Sequence, residues 1–287
     1  MTDIFSKNYD RRTPIFANIN LLGRCNINCY FCLGKDLPDH FYKQSYDNVH
    51  FEEWKNFDKF ILFCQEHGVS KIYLTGQNTD PLLYQYLKEL IVFLQDMGFT
   101  VGLRTNGYGA IGSLDIINMC KDEIGYSIMS TDHNINNRIT GKYELPDWDY
   151  IIPRTTAPCR VSLVINRYNF IEVMDMLKYI SKFDNVKYIQ LRRVSTDTRK
   201  DELEIDAIVY EEVYKAFKEN FGHQFRDTFY GAEVFDLFGK ELTFWRTVKT
   251  DINSFNYYVD GVFTDEYFII EGYLKQIGEY NEEESSP

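Results

Sequence analysis

The chain has 287 residues, enough for one large or two small domains; its apolar content of 44% is ordinary, and 22 each of Tyr and Phe can supply a packed core. The formal charge of −12 argues against binding a nucleic-acid polymer, which relies on Lys and Arg set against phosphates. The start has no basic segment leading into an apolar stretch, and no apolar run reaches the length of a membrane span. The expectation is therefore no membrane partner and a reducing cytoplasm for the six cysteines.

Residues 1–14 form a short N-terminal segment, so a dedicated peptide-binding domain ahead of the first element is not expected. Residues 16–22 alternate as a strand that ends at Gly23. Cys25, Cys29 and Cys32 follow at once, spaced C-x3-C-x2-C, with Phe31 just before the third. Helical pattern runs over 51–67 and stops at Gly68, and 71–75 reads as a strand. An amphipathic helix spans 81–97, with Leu82, Leu83, Tyr86, Leu87, Leu90, Ile91 and Leu94 as its apolar residues and Gly98 as its stop. The rhythm continues with a strand over 100–105, a short helix over 114–120 and a strand over 124–130. It closes with a strand over 159–165, a helix near 170–182, a strand over 188–192 and a helix over 205–220. No repeat of fixed sequence period accompanies it. Six β/α units imply an α/β fold, a parallel sheet with helical crossovers.

After Gly222 the rhythm stops. Residues 256–259 and 262–264 flank Asp260-Gly261 and read as a β-hairpin with a type I′ turn. The expected organisation is an N-terminal segment (1–14), a partial barrel (15–221) and a small C-terminal extension (222–287) that acts as a lid or packing element and ends in a frayed acidic tail from Glu279.

Three thiolates in one tight loop suit a soft metal centre. A [4Fe–4S] cluster normally takes four thiolates, so three nearby cysteines leave one iron open. A closed zinc site with His40 as fourth ligand is the alternative, and would make the chain a non-enzymatic metal-binding or redox-sensing protein. Cys64, Cys120 and Cys159 are scattered on apolar segments and read as core.

A cysteine loop at the mouth of a first strand, with its aromatic residue, resembles the cluster loop of the radical S-adenosylmethionine (SAM) superfamily. The resemblance covers residues 15–220 and implies a partial (β/α)6 TIM-like barrel with a C-terminal β-hairpin extension. It also implies a [4Fe–4S] cluster on Cys25, Cys29 and Cys32, with SAM chelated at the open iron. SAM cleavage would give a 5′-deoxyadenosyl radical that takes hydrogen from a small metabolite, a nucleoside or a peptide side chain, and a flavodoxin or ferredoxin would supply the electron. Many relatives carry auxiliary clusters in the C-terminal region; no cysteine follows Cys159 here, so none is expected.

The resemblance also implies cofactor-binding residues. Phe31 would flank the adenine. Gly76 matches a glycine of the family's Gly-Gly-Glu-Pro motif, but Gln77-Asn78-Thr79-Asp80 stands in place of Gly-Glu. The acceptor for the SAM ammonium group is then Asp80 or the carbonyls of residues 75–77; Asp80 also reads as a cap for the helix that begins at Pro81. Asn106, Ser130 and Asp132 stand at the ends of the third and fourth strands as further SAM contacts. Of the basic residues after the sixth strand, Arg192 or Arg193 is expected in the site, and Arg199 and Lys200 in a solvated loop.

Gly107, Gly109 and Gly112 form a G-x-G-x-x-G with Asp132 20 residues beyond. That matches a dinucleotide fingerprint. The helix after it is short and its strand is the third of the series, so nicotinamide binding is not expected.

Overall fold

Strand β1 (Phe16–Leu22) is buried along almost its whole length and lies inside a parallel array. A computed structural model describes residues 16–38, 44–196, 198–229, 231–246, 254–265, 273–274 and 276–278. His40, the N-terminal segment 1–14 and the tail 279–287 lie outside the described residues.

β1 is followed by β2 (Lys71–Gln77), β3 (Thr100–Thr105), β4 (Ile124–Ser127), β5 (Cys159–Ile165) and β6 (Val186–Arg193). These six strands are neighbours in chain order and all parallel, the partial barrel expected from the rhythm. Parallel register sets paired residues on one face. Alternate residues such as Ile72, Leu74, Val101, Leu103, Val161 and Leu163 are fully buried in the main core. The opposite set faces inward and is polar or small: Tyr73 pairs with Gly102, Arg104 with Gly125, and Gly125 with Arg160. Gly102 is required there, because a Cβ would lie 2.5 Å from the Tyr73 ring.

The helices are α1 (Phe57–Glu66), α2 (Leu87–Asp96), α3 (Leu114–Ile117), α4 (His133–Thr140), α5 (Trp148–Arg154), α6 (Val173–Ser181) and α7 (Lys200–Phe221). α2 buries Leu87, Leu90, Ile91 and Leu94, each burial contributing about 1.5–3 kcal/mol. The helix expected over 81–97 divides into a 3₁₀ turn (Pro81–Leu83) and α2, and the one over 51–67 divides in the same way. α4 and α5 were not expected: α4 is mainly polar and α5 contains Pro153, so neither shows a clean apolar period.

The C-terminal residues add strands to the same sheet at both edges. β9 (Lys240–Trp245) runs parallel to β6, with β8 (Ala232–Leu237) and β7 (Phe225–Phe229) antiparallel beyond it. β10 (Ser254–Tyr258) runs parallel to β1, with β11 (Phe263–Thr264) antiparallel outside it. The order runs from β11 to β7, so among the described residues the sheet does not close on itself. The hairpin of β10 and β11 is present, but its turn is not type I′: Gly261 has φ 98°, while Asp260 is not in the left-handed region. The loop is longer than the two residues a type I′ turn needs, and Tyr258 N–H donates to the Val262 carbonyl at 2.8 Å.

Candidate functional site

The cysteine loop follows β1 and is held from three sides. Asn28 N–H donates to the Thr140 carbonyl at 2.8 Å and Tyr30 N–H to the Ile139 carbonyl at 3.1 Å. Those carbonyls end α4, where the helix has no partners of its own to offer. Asp132 caps the other end of α4, accepting from the amides of Asn134 and Ile135. Behind the loop, the Tyr30 hydroxyl donates to Asp206 at 2.6 Å, and Arg167 pairs with the same buried carboxylate at 2.7 Å. On the third side, Arg199 donates to the carbonyls of Tyr30 and Cys32, both at 2.8 Å, and to Asp36 at 2.7 Å. Arg199 is therefore not the solvated loop charge expected of it; its side chain is 17% exposed and Asp36 is fully covered. No local pattern marks the Arg199–Asp36 pair, since 163 residues separate the two.

Cys25, Cys29 and Cys32 all line one cavity of about 750 Å³. Burial pushes all three thiols up, Cys25 to about 11, and Cys29 also feels Cys32 and Cys25. Among the described residues no group of three or more His, Cys, Asp or Glu is gathered as a metal-ion cage. Cys64, Cys120 and Cys159 are buried in the main core, as expected.

The end of β2 lines the same cavity with Gly76, Gln77, Asn78, Thr79 and Asp80. Gly76 has no room for a side chain, because a Cβ would lie 2.1 Å from the Thr79 carbonyl oxygen. Gly34 abuts the same turn: its Cβ would lie 2.7 Å from the Asn78 amide nitrogen. Asp80 caps the 3₁₀ turn, accepting from Leu82 N–H at 3.0 Å. It also accepts from Asn106 N–H at 2.7 Å and from the Thr105 hydroxyl at 2.9 Å, which ties β2 to β3. Burial pushes its carboxyl up and these donors pull it back. Asp80 is 3% exposed.

Asn106 lines the cavity and donates from Nδ2 to Asn26 at 2.7 Å, with Cys25 Sγ 3.5 Å away. Phe31, Ser130 and Arg192 also line it, whereas Asp132 is exposed and outside the lining. Ser130 is engaged with the backbone of Asp132. Gly107, of the G-x-G-x-x-G, serves packing: its φ is 82° and a Cβ would lie 2.3 Å from the Trp148 ring. The following helix α3 is only four residues long.

The cavity floor carries charge that sequence reasoning missed. Arg104 on β3 and Arg160 on β5 both line it, and both reach Glu123, which precedes β4. Arg104 donates to Glu123 Oε1, and Arg160 Nε lies 3.5 Å from the same oxygen. Burial pushes the Glu123 carboxyl up, but Arg160 and Arg104 outweigh it and hold it down at about 2. The Arg104 guanidinium also lies 4.3 Å over the Tyr73 ring. The inward alternation of β3 and β5 was the signal that could have found this pair.

No protein-family model matches the chain. It is 31% identical over 91 residues to an S-adenosylmethionine-dependent nucleotide dehydratase of a Thermoplasmatales archaeon (strain ISO4-H5), covering 32% of this chain and 29% of that protein. It is 26% identical over 184 residues to the sporulation killing factor maturation protein SkfB of Bacillus subtilis (strain 168), covering 60% of this chain and 41% of that protein. The matches thus span less than half the length of these two relatives. Among solved structures, SuiB of Streptococcus suis bound to a precursor peptide superposes with TM-score 0.60 at 10% identity, covering 88% of this chain and 59% of that one. Coproporphyrinogen III oxidase (HemN) from Escherichia coli, described as a radical SAM enzyme, superposes with TM-score 0.52 at 11% identity, covering 90% and 65%. Those two likenesses show the fold. The cysteine loop at the mouth of β1 and the curated relatives, one of them S-adenosylmethionine-dependent by name, assign this chain to the radical SAM superfamily.

Proposed function

We propose that the chain is a radical SAM enzyme whose cavity holds a [4Fe–4S] cluster on Cys25, Cys29 and Cys32 with SAM beside it. One observation carries this reading: three soft thiol donors and the ends of β2, β3 and β4 line a single cavity. The donor set fits the cluster, with three thiols and a loop braced from behind. When bound, cluster and SAM supply one-electron cleavage of a sulfonium and a carbon radical that removes a substrate hydrogen.

The chain's own residues do the positioning. Arg199 and the end of α4 hold the loop backbone at fixed hydrogen bonds. Gly76 lets the Thr79 carbonyl close in, shaping the turn whose backbone carbonyls at 75–77 accept the ammonium of SAM. Asp80 has three donors on its carboxylate, so it acts chiefly by holding that turn against β3. Phe31 is assigned to the adenine, Gln77, Asn106 and Ser130 to polar contacts with SAM, and Arg192 to its carboxylate. Asp132 acts at one remove, through α4. The substrate is a small molecule or a peptide side chain, and a flavodoxin or ferredoxin reduces the cluster.

Anaerobic reconstitution tests the reading. About four iron and four sulfide per chain, with 5′-deoxyadenosine released from SAM and dithionite, is the expected result. One tightly held zinc and no SAM cleavage would overturn it.

A further inference from the structure

We propose that the barrel floor is an oxyanion site, and that the substrate carries a carboxylate or phosphate bound by Arg104 and Arg160. The inference rests on the catalytic reading above and adds the substrate's chemical class.

Four observations carry it. First, two guanidiniums share one carboxylate. Arg104 and Arg160 both meet Glu123, so the floor keeps one positive charge in excess. A buried charge without a counter-charge is costly, and a ligand oxyanion removes that cost. Second, the side chain of Arg160 is 10% exposed and its Nε is buried without a hydrogen-bond partner. Third, the strand between the two arginines is cleared for them. A Cβ on Gly125 would lie 2.8 Å from Arg160 Nη2 and 2.9 Å from Arg104 Nη1. Fourth, the cavity is cationic although the chain carries −12. Among the described residues its lining includes Arg24, Lys35, Arg104, Arg160, Arg192 and Arg193, against Asp80 as the one acid. Asp80 is already engaged by Leu82, Thr105 and Asn106.

The planar fork of a guanidinium matches both carboxylate and phosphate. Arg160 is the second residue of β5 and Val164 stands four residues further along the same cavity wall, roughly 13 Å of strand. The oxyanion therefore sits toward the start of β5, and the bound molecule presents its other end toward the strand ends that carry the cysteine loop. The cavity volume of about 750 Å³ falls within the range of small-molecule sites.

The test uses reconstituted protein at constant ionic strength, titrated with inorganic phosphate, pyrophosphate and succinate by calorimetry and thermal melting. Wild type is expected to show saturable binding and a rise in Tm with at least one probe. Arg160→Gln should weaken that binding at least tenfold, and Arg160→Lys less. Glu123→Gln, which removes the competing carboxylate, should strengthen it several-fold. A merely structural ion cluster would not give opposite signs in the two variants. Binding of phosphate or pyrophosphate without succinate assigns a phosphorylated substrate, and the reverse assigns a carboxylate. No binding of any probe, or unchanged binding in Arg160→Gln, would overturn the site. SAM cleavage in the same samples reads the catalytic proposal separately. Its absence beside intact anion binding sinks the catalysis and leaves the site, whereas its presence without anion binding sinks the site alone.

Discussion

Arg199 donates from Nη2 to the carbonyl of Cys32 at 2.8 Å, and so locks the backbone of a proposed cluster ligand to the start of α7. The same guanidinium pairs with the covered carboxylate of Asp36, which also accepts from Thr196 at 2.8 Å. Arg199→Ala would remove the guanidinium that pairs with the buried Asp36 carboxylate. Breaking a buried pair in this way costs about 3–5 kcal/mol. The expected outcome is reduced iron retention after gel filtration and a lower Tm. Arg199→Lys should retain part of both, since an ammonium keeps the charge but not the fork. Full iron content in Arg199→Ala would remove the positioning role.

Substitution of Cys25, Cys29 or Cys32 by Ala should abolish cluster assembly, read as iron and sulfide per chain. Substitution of Cys64, Cys120 or Cys159 by Ala should cost about 1 kcal/mol of stability and leave iron content unchanged, because all three sit in the core. Iron lost on changing Cys120 would contradict the assignment of ligands.

Gly76→Ala places a Cβ 2.1 Å from backbone oxygen, which must move. Overpacking of this kind costs about 1–3 kcal/mol, and here it displaces the turn assigned to SAM. SAM affinity by calorimetry should fall. Gly112→Ala is the matched control: a Cβ there meets nothing within 4 Å, and the residue lies in a 3₁₀ turn. It should be neutral or stabilise by about 0.4–1 kcal/mol.

Asp80→Asn should cost stability as well as SAM affinity. The carboxylate accepts from Leu82, Thr105 and Asn106, and an amide NH₂ facing any of these leaves a donor unmet, at about 1–3 kcal/mol. Urea unfolding checks it. Stability unchanged with SAM binding lost would return Asp80 to direct contact with the cofactor.

Acid should expose the Glu123 cluster. The folded carboxyl is held down at about 2 against an ordinary 4.5, so the folded state binds fewer protons than the unfolded chain. The stability this contributes is complete above pH 4.5 and is lost as pH falls toward 2. The difference in urea midpoint between wild type and Glu123→Gln should therefore shrink across that window. A difference that stays constant there would show that Glu123 does not titrate as a paired carboxylate.

The cysteine spacing, the six strands and the crossover helices other than α4 and α5 could be read along the chain, because the periods of strand and helix are written in neighbouring residues. β1, β3 and β5 begin and end where the alternation begins and ends. Asp80 and Pro81 announced a helix start by their local capping chemistry. What lies far apart in sequence was not legible. β10 joins β1 through Asn18 and Asn256, whose side chains meet at 2.9 Å across 238 residues. β9 joins the other edge, so the C-terminal residues extend the sheet on both sides, and no local signal says which edge a strand will take. Arg199 looked like one charge in a mixed run until the fold brought Asp36 to it. Arg104 and Arg160 both pair with Gly125 on the strand between them, and only parallel register sets them on one face beside Glu123, which precedes that strand. The local sequence determined which elements form and where the thiols stand. Tertiary packing decided which distant charges are buried together, because desolvation and pairing exist only once the sheet is assembled.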